Sequence, residues 1–129
     1  MASVYREFVV AKSAQRAWDA LADFSAVHER LVPGFVTECV AEGRARVVTF
    51  FNGMVAREQL VSCEPELRRI CYASVGGRAS HHNASVQVFS DGAERARIVW
   101  ITDVLPDELA TPIASMMDRG IEVMQLTLR

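Results

Sequence analysis

The residues best suited to proton transfer stand in a polar stretch, Ser80–Ser85, inside a segment that otherwise has the composition of a strand. Side chains alternate between the two faces of a strand, so the adjacent His81 and His82 cannot hold one metal ion together. His82 is in phase with the apolar side chains of the segment, Ala84, Val86 and Val88. We predict that His82 faces the interior as a general acid or base, or as a core histidine bonded to a backbone carbonyl, and that His81 faces solvent.

A second candidate for chemistry is one of two charged neighbours, Arg57 and Glu58. They also point to opposite faces of a predicted strand, and whichever is inside needs a partner, because an unpaired interior charge is very costly. An inward Arg57 could hold a carboxylate, and an inward Glu58 could act as a base. The sequence leaves open which of the two faces inward.

Two aromatic side chains could orient a ligand. Trp100 shares a face with Ile98 and Thr102, so it could stack on a planar ligand and donate its indole N–H. Tyr72, in an earlier strand, could orient a carbonyl or hydroxyl group. The alternative for both residues, and the commoner case, is ordinary packing within a sheet.

The last segment of the chain has an apolar stripe at helical spacing that includes Met116, Met117, Gly120 and Met124. Methionine adapts to irregular shapes, including ligands, and a glycine on a buried face leaves room. Alternatively, the methionines only fill gaps and Gly120 lets a strand approach. Phe24 and His28 lie in a short earlier helix that we expect to border the mouth of a cavity, although surface exposure would also explain His28.

The elements that must position these residues follow from composition and turn signals. A strand is predicted at 3–11, a helix behind the N-cap Ser13, and a short second helix that ends near Leu31. Six more strands are predicted at 35–42, 45–52, 54–63, 68–76, 81–90 and 95–103, separated by turn pairs such as Asn52-Gly53 and Asp91-Gly92. Connections this short forbid parallel crossovers, so the sheet should be antiparallel. A long helix is predicted at 107–128.

The order β-α-α-β6-α indicates an α+β protein. A long antiparallel sheet needs one face covered, and the last helix is the only large amphipathic surface available. We therefore expect a curved seven-stranded antiparallel sheet around the C-terminal helix. Such a pair leaves space between its members, so we predict an enclosed or one-mouthed pocket there, within the usual range of about 300–1,000 Å³.

Composition and charge exclude several classes of function. The 129 residues suit a single domain over 1–129, and the net charge of −2 with scattered basic residues disfavours nucleic acid as a partner. No apolar run approaches the roughly 18 residues of a membrane span. The absence of a signal-peptide pattern and of CxxC among Cys39, Cys63 and Cys71 leads us to expect a cytoplasmic protein. The sequence does not decide between monomer and homodimer.

Motifs of the common enzyme classes are missing. The chain has no HExxH, GxSxG, P-loop or GxGxxG, and its acidic, histidine and cysteine residues show no metal-ligand spacing. We therefore expect neither a metal nor another cofactor.

The two ends of the chain resemble one known family. The stretch SAQRAWDALADFSAVHERLVPGF is similar to the start of the polyketide cyclase/dehydrase and lipid-transport family of the START (SRPBCC) superfamily, with Trp18, Leu21, Asp23 and Phe24 at the matching positions. The stretch IVWITDVLPDELATPIASMMDRGIEVM is similar to its last strand and C-terminal helix. The resemblance implies the helix-grip fold over essentially the whole chain.

The resemblance says less about function, because the superfamily has no shared catalytic motif and fold alone does not give function. It implies a small hydrophobic ligand, aromatic or polyketide-like, in the cavity. Cofactor-free cyclase, dehydrase or isomerase activity would then be proton transfer on an oriented substrate. A non-catalytic carrier or sensor of lipid or quinone, and a protein-interaction module, stay open as alternatives.

Overall fold

A computed structural model describes residues 2–129 and contains one seven-stranded sheet in the order β1-β7-β6-β5-β4-β3-β2. Every neighbouring pair is antiparallel. The strands are β1 (Ala2–Val10), β2 (Val36–Glu42), β3 (Ala45–Phe50), β4 (Val55–Glu64), β5 (Arg69–Val75), β6 (His81–Ser90) and β7 (Ala96–Leu105). The predicted architecture is confirmed, and the predicted strand ends are close to the observed ones.

The hairpins between strands are tight where the sequence carries Asn-Gly or Asp-Gly. Gly53, between β3 and β4, has φ of 86°, and Gly92, between β6 and β7, has φ of 110°. Glycine adopts these positive values without the steric cost that other residues meet. The short turns therefore set each strand beside the next one in the chain.

Three short helical segments lie between β1 and β2. Helix α1 (Ala14–Ala22) begins at Ser13, whose hydroxyl oxygen accepts a hydrogen bond from the Arg16 backbone N–H. This cap satisfies one of the free donors at the start of a helix. A 3₁₀ turn (Phe24–Ala26) and helix α2 (Val27–Arg30) follow, and α2 packs against β2. These segments place Phe24 beside the sheet.

The C-terminal helix α3 (Ala110–Thr127) follows a 3₁₀ turn (Asp107–Leu109) and lies on the concave face of the sheet. Arg6 of β1 binds Asp118 of α3, with 2.6 Å between Nε and Oδ1. A Cβ atom at Gly120 would lie 3.3 Å from the Phe35 ring and 3.5 Å from Cζ3 of Trp100. Gly120 therefore permits close packing of helix against aromatic rings, which is the second of the two roles considered from sequence.

Within residues 2–129, none of the helices has both the length and the apolar character needed to cross a bilayer.

Candidate functional site

The register of the sheet brings the candidate residues to one face. Arg46 on β3 lies opposite Glu58 on β4, and Leu60 on β4 lies opposite Tyr72 on β5. Residues directly opposite each other in an antiparallel pair share a face. The same face continues across β6 and β7 through Ala84, Val86, Trp100 and Thr102. Side chains far apart in sequence thus form one row under α3.

An ion pair lies at the end of this row formed by β3 and β4. Arg46 Nε is 2.8 Å from Glu58 Oε1, and the two side chains are only 8% and 12% exposed. Arg46 Nη1 also donates to the Phe24 carbonyl oxygen at 2.8 Å, and its guanidinium carbon lies 3.8 Å from the centre of the Phe24 ring. A buried charge pair needs such additional partners to offset the loss of water. Arg46 therefore joins β3, β4 and the 3₁₀ turn.

The structure settles which of Arg57 and Glu58 faces inward. Glu58 points to the concave face, whereas the exposed Arg57 forms an ion pair with Glu42, with 3.2 Å between Nε and Oε1. Arg57 therefore does not belong to the candidate site. The partner of Glu58 is Arg46, which the sequence analysis missed. Alternation along β3 could have indicated its orientation, because Arg46 is in phase with Val48 and Phe50.

Tyr72 lies half-buried beside this ion pair. Burial raises its pKa far above the usual value, the negative charge of Glu58 raises it further, and the positive charge of Arg46 partly opposes both. The Phe24 and Tyr72 ring centres are 6.2 Å apart. Because the phenol keeps its proton at any physiological pH, Tyr72 can donate a hydrogen bond on the concave face.

Trp100 carries an unusual polar atom. Within the described residues, its buried indole Nε1 has no hydrogen-bond partner. The Trp100 side chain is near enough to the Tyr72 hydroxyl to lower the pKa of the phenol slightly, but the geometry does not reach that of a hydrogen bond. Buried donors are almost always paired, so this N–H calls for an explanation.

The register on β6 is the predicted one. Ala84, Val86 and Val88 are buried, and His82 shares their face. Burial lowers the pKa of His82, and the charge of Glu58 partly opposes this effect. His81 points the other way but is also half-buried, so the two histidines differ less in exposure than predicted. His82 is the neutral imidazole on the concave face.

The remaining candidates differ in their surroundings. Met117 and Met124 are buried in the packing of α3, and Met116 is half-buried at the edge of the core. His28 contacts Glu29 on its own helix, with 3.2 Å between Nε2 and Oε1, and its buried Nδ1 has no partner within the described residues. Phe24 joins the cluster, whereas the described contact of His28 does not place it there.

The apolar side chains of the concave face are not fully covered by α3. Those that stay half-buried come from five strands, the 3₁₀ turn and α3, namely Phe24, Cys39, Phe50, Ala56, Leu60, Tyr72, Trp100 and Met116. Depressions of about 220 and 270 Å³ lie elsewhere: one on the convex face beside Cys71 and Ser85, the other between α1 and the end of α3 beside Arg16 and Leu128. The predicted pocket under α3 therefore stays a prediction.

Within residues 2–129, no three His, Cys, Asp or Glu side chains are grouped so that they could hold a metal ion. The chemistry available is that of one carboxylate, one imidazole and two hydrogen-bond donors.

Solved structures with the same fold include proteins of several functions. The di-domain ARO/CYC protein BexL matches with a TM-score of 0.85 at 11% identity, over 98% of this chain and 46% of that one. Norcoclaurine synthase from Thalictrum flavum, solved with dopamine and hydroxybenzaldehyde, matches with a TM-score of 0.72 at 18% identity, over 99% and 88%. A START superfamily protein from Mycobacterium smegmatis matches with a TM-score of 0.73 at 16% identity, over 97% and 99%. At these identities the similarity establishes the fold alone.

No curated protein matches the chain in sequence. A family model does: the one described as polyketide cyclase/dehydrase and lipid transport matches residues 1–125, which is nearly the whole chain. The match agrees with the fold and with the resemblance of the two chain ends. The chain therefore belongs to the polyketide cyclase/dehydrase and lipid transport family.

Proposed function

We propose that this protein binds a small hydrophobic ligand, aromatic or polyketide-like, on the concave face between the sheet and α3. The observation that carries the proposal is the half-buried set of apolar side chains on that face. Each Å² of accessible apolar surface that a ligand covers contributes about 25 cal/mol to the free energy of binding. Membership of the family supports the same conclusion.

The polar groups of the site give such a ligand an orientation. Tyr72 and Trp100 supply donors on this face, and the Arg46–Glu58 pair lies next to the phenol. Ligand sites typically combine an apolar wall with a few polar groups of this kind. The ring of Phe24 closes one side of the cluster, because the contact with Arg46 fixes it there.

Binding of the uncharged apolar dye 1,6-diphenylhexatriene tests the proposal. Leu60→Gln places a polar group on the concave face and should weaken dye binding about tenfold, whereas Val61→Gln changes the exposed neighbour on the other face and should have no effect. Equal effects of the two variants, or no dye binding by the parent protein, would refute binding at this face. Native mass spectrometry of protein purified from its own host would then reveal the natural ligand by its mass.

A second candidate function is cofactor-free proton transfer, as in cyclisation, dehydration or isomerisation. The observation in its favour is that Glu58 influences the pKa of both Tyr72 and His82, so a carboxylate, a phenol and an imidazole lie near one another. Glu58 or the neutral His82 would take a proton from a carbon next to a carbonyl, and Tyr72 would donate to the developing oxyanion.

Deuterium exchange separates this enzyme from a carrier. In D₂O, the protein should accelerate loss of the α-protons of 2-tetralone, a hydrophobic ketone, as followed by proton NMR. Glu58→Gln or His82→Gln should reduce the acceleration at least about tenfold, with His81→Gln as the matched control. Dye binding without any acceleration would favour the carrier of lipid or quinone. Equal effects of the two histidine variants would remove His82 from the site.

A further inference from the structure

We infer that the Trp100 indole N–H and the Tyr72 hydroxyl form a donor pair that binds a single uncharged carbonyl oxygen of the ligand, as in a ketone or a quinone. This inference rests on the proposed ligand-binding function and names the group that the site selects. It assigns Trp100 as a residue that determines specificity rather than as part of the apolar wall.

The first step in the argument is the unpaired donor. Within the described residues, Trp100 Nε1 is buried without any acceptor. An N–H removed from water without an acceptor is costly, and an acceptor brought by a ligand would recover that cost. An apolar ligand without an oxygen atom would leave the N–H unpaired.

The second step is the direction of this donor. Cζ3, on the benzene ring of the indole, packs towards Gly120, where an added Cβ would be 3.5 Å away. The benzene end of the ring is thus turned towards α3, while the pyrrole side of the indole lies near the Tyr72 hydroxyl. An acceptor atom placed between the indole N–H and the phenol would be within reach of both donors. Both donors would then point at the same oxygen atom.

The third step is charge. Burial and the carboxylate of Glu58 keep Tyr72 protonated, so Tyr72 and Trp100 together offer two hydrogen-bond donors. The phenol oxygen is the one acceptor of this donor pair that a ligand hydroxyl could use. The positive charge of Arg46 is matched by Glu58 at 2.8 Å, so Arg46 is not free to neutralise a ligand carboxylate. A carboxylate would also meet repulsion from Glu58. A neutral carbonyl oxygen fits these conditions best.

Two probes of nearly the same shape test the inference: 2-acetylnaphthalene, which has a carbonyl group, and 2-ethylnaphthalene, which has a methylene in its place. The protein has only two tryptophans, so an ¹H–¹⁵N spectrum shows two indole N–H signals, and that of the buried Trp18 on α1 is an internal control. The ketone should move the Trp100 signal downfield and bind at least about tenfold more tightly than the hydrocarbon. The Trp18 signal should stay in place with both.

Trp100→Phe keeps an aromatic ring and removes the N–H, so it should bring the two affinities to within about twofold of each other. Tyr72→Phe should do so in part, and it keeps the test decisive if Trp100→Phe does not fold. Equal binding of both probes to the parent protein, with an unmoved Trp100 signal, would overturn the inference and leave the proposed ligand site intact. Failure of both probes to bind would overturn the ligand site and the inference with it.

Discussion

Arg46 and Glu58 face each other across two neighbouring strands, with 2.8 Å between Nε and Oε1, and both side chains are almost completely buried. Arg46 also donates to the backbone of Phe24, so one side chain links the sheet to the segment that leads into α2. This relationship fixes the position of the Glu58 carboxylate in the candidate site.

Removal of one partner should therefore be costly. We expect Arg46→Met to lower the free energy of unfolding by about 3 kcal/mol, because it leaves the Glu58 carboxylate buried without a countercharge. Urea denaturation measures this change. The matched control is Arg57→Met, which breaks the exposed pair with Glu42 and should cost less than about 1 kcal/mol. Similar costs for the two variants would contradict the assigned burial of Arg46.

Enlargement of Gly120 should disturb packing before it blocks any ligand. We expect Gly120→Leu to lower the free energy of unfolding by about 1–3 kcal/mol, because even a Cβ atom would lie 3.3 Å from Phe35 and 3.5 Å from Trp100. Urea denaturation and the tryptophan emission spectrum measure the effect. A Gly120→Leu protein with the stability and emission of the parent would show that the rings yield easily. Loss of dye binding in this variant is thus not proof of a pocket wall.

The stability of the protein should depend on His82 in mildly acid solution. Burial lowers the folded-state pKa of His82 below the ordinary value of 6.5, so the unfolded chain binds more protons over the interval between the two values. Stability should therefore be lost as the pH falls below about 6.5. We expect His82→Asn to reduce this loss in urea titrations at pH 7.5 and 5.5, and His81→Asn to leave it unchanged. The same pH dependence in His82→Asn and the parent would contradict the burial effect.

Two cysteines on opposite faces should report where a ligand binds. Cys39 pairs with the inward Val48, whereas Cys71 lies on the convex face, and burial raises the pKa of both thiols. In a Cys63→Ser background, which removes the exposed thiol, both should react slowly with a disulfide reagent at pH 8. Saturating 2-acetylnaphthalene should slow labelling of Cys39 and not of Cys71, as followed by mass spectrometry. Equal protection of the two would contradict binding on the concave face.

The fold was readable from the sequence because its signals are local. Asn52-Gly53 and Asp91-Gly92 each mark a turn between two strands. The alternation in Ala84, Val86 and Val88 gave the correct register for His82. These patterns depend on residues two to four positions apart. A single sequence contains them in full.

The site was less readable because its contacts join distant segments. Both faces of β4 begin with a mixture of apolar and charged side chains, and a register shift follows between Leu60 and Ser62. Alternation along the strand therefore could not show which way Glu58 points. Arg46 was missed because alternation along β3 is weak evidence for a buried arginine until its partner is known, and that partner lies 12 residues away on another strand. The role of Gly120 depends on Phe35 and Trp100, which no local pattern brings to it.

The pairing of β1 with β7 has a consequence for how the chain reaches this structure. Ala2 pairs with Val104, so the first strand finds its place only after about a hundred further residues are available, whereas β2 to β7 form by successive short hairpins. Loops of that length close slowly, and folding rates fall as contacts become less local. During synthesis, β1 should therefore wait without its strand partner until β7 emerges. Until then, the growing sheet presents an open edge that favours association with other chains.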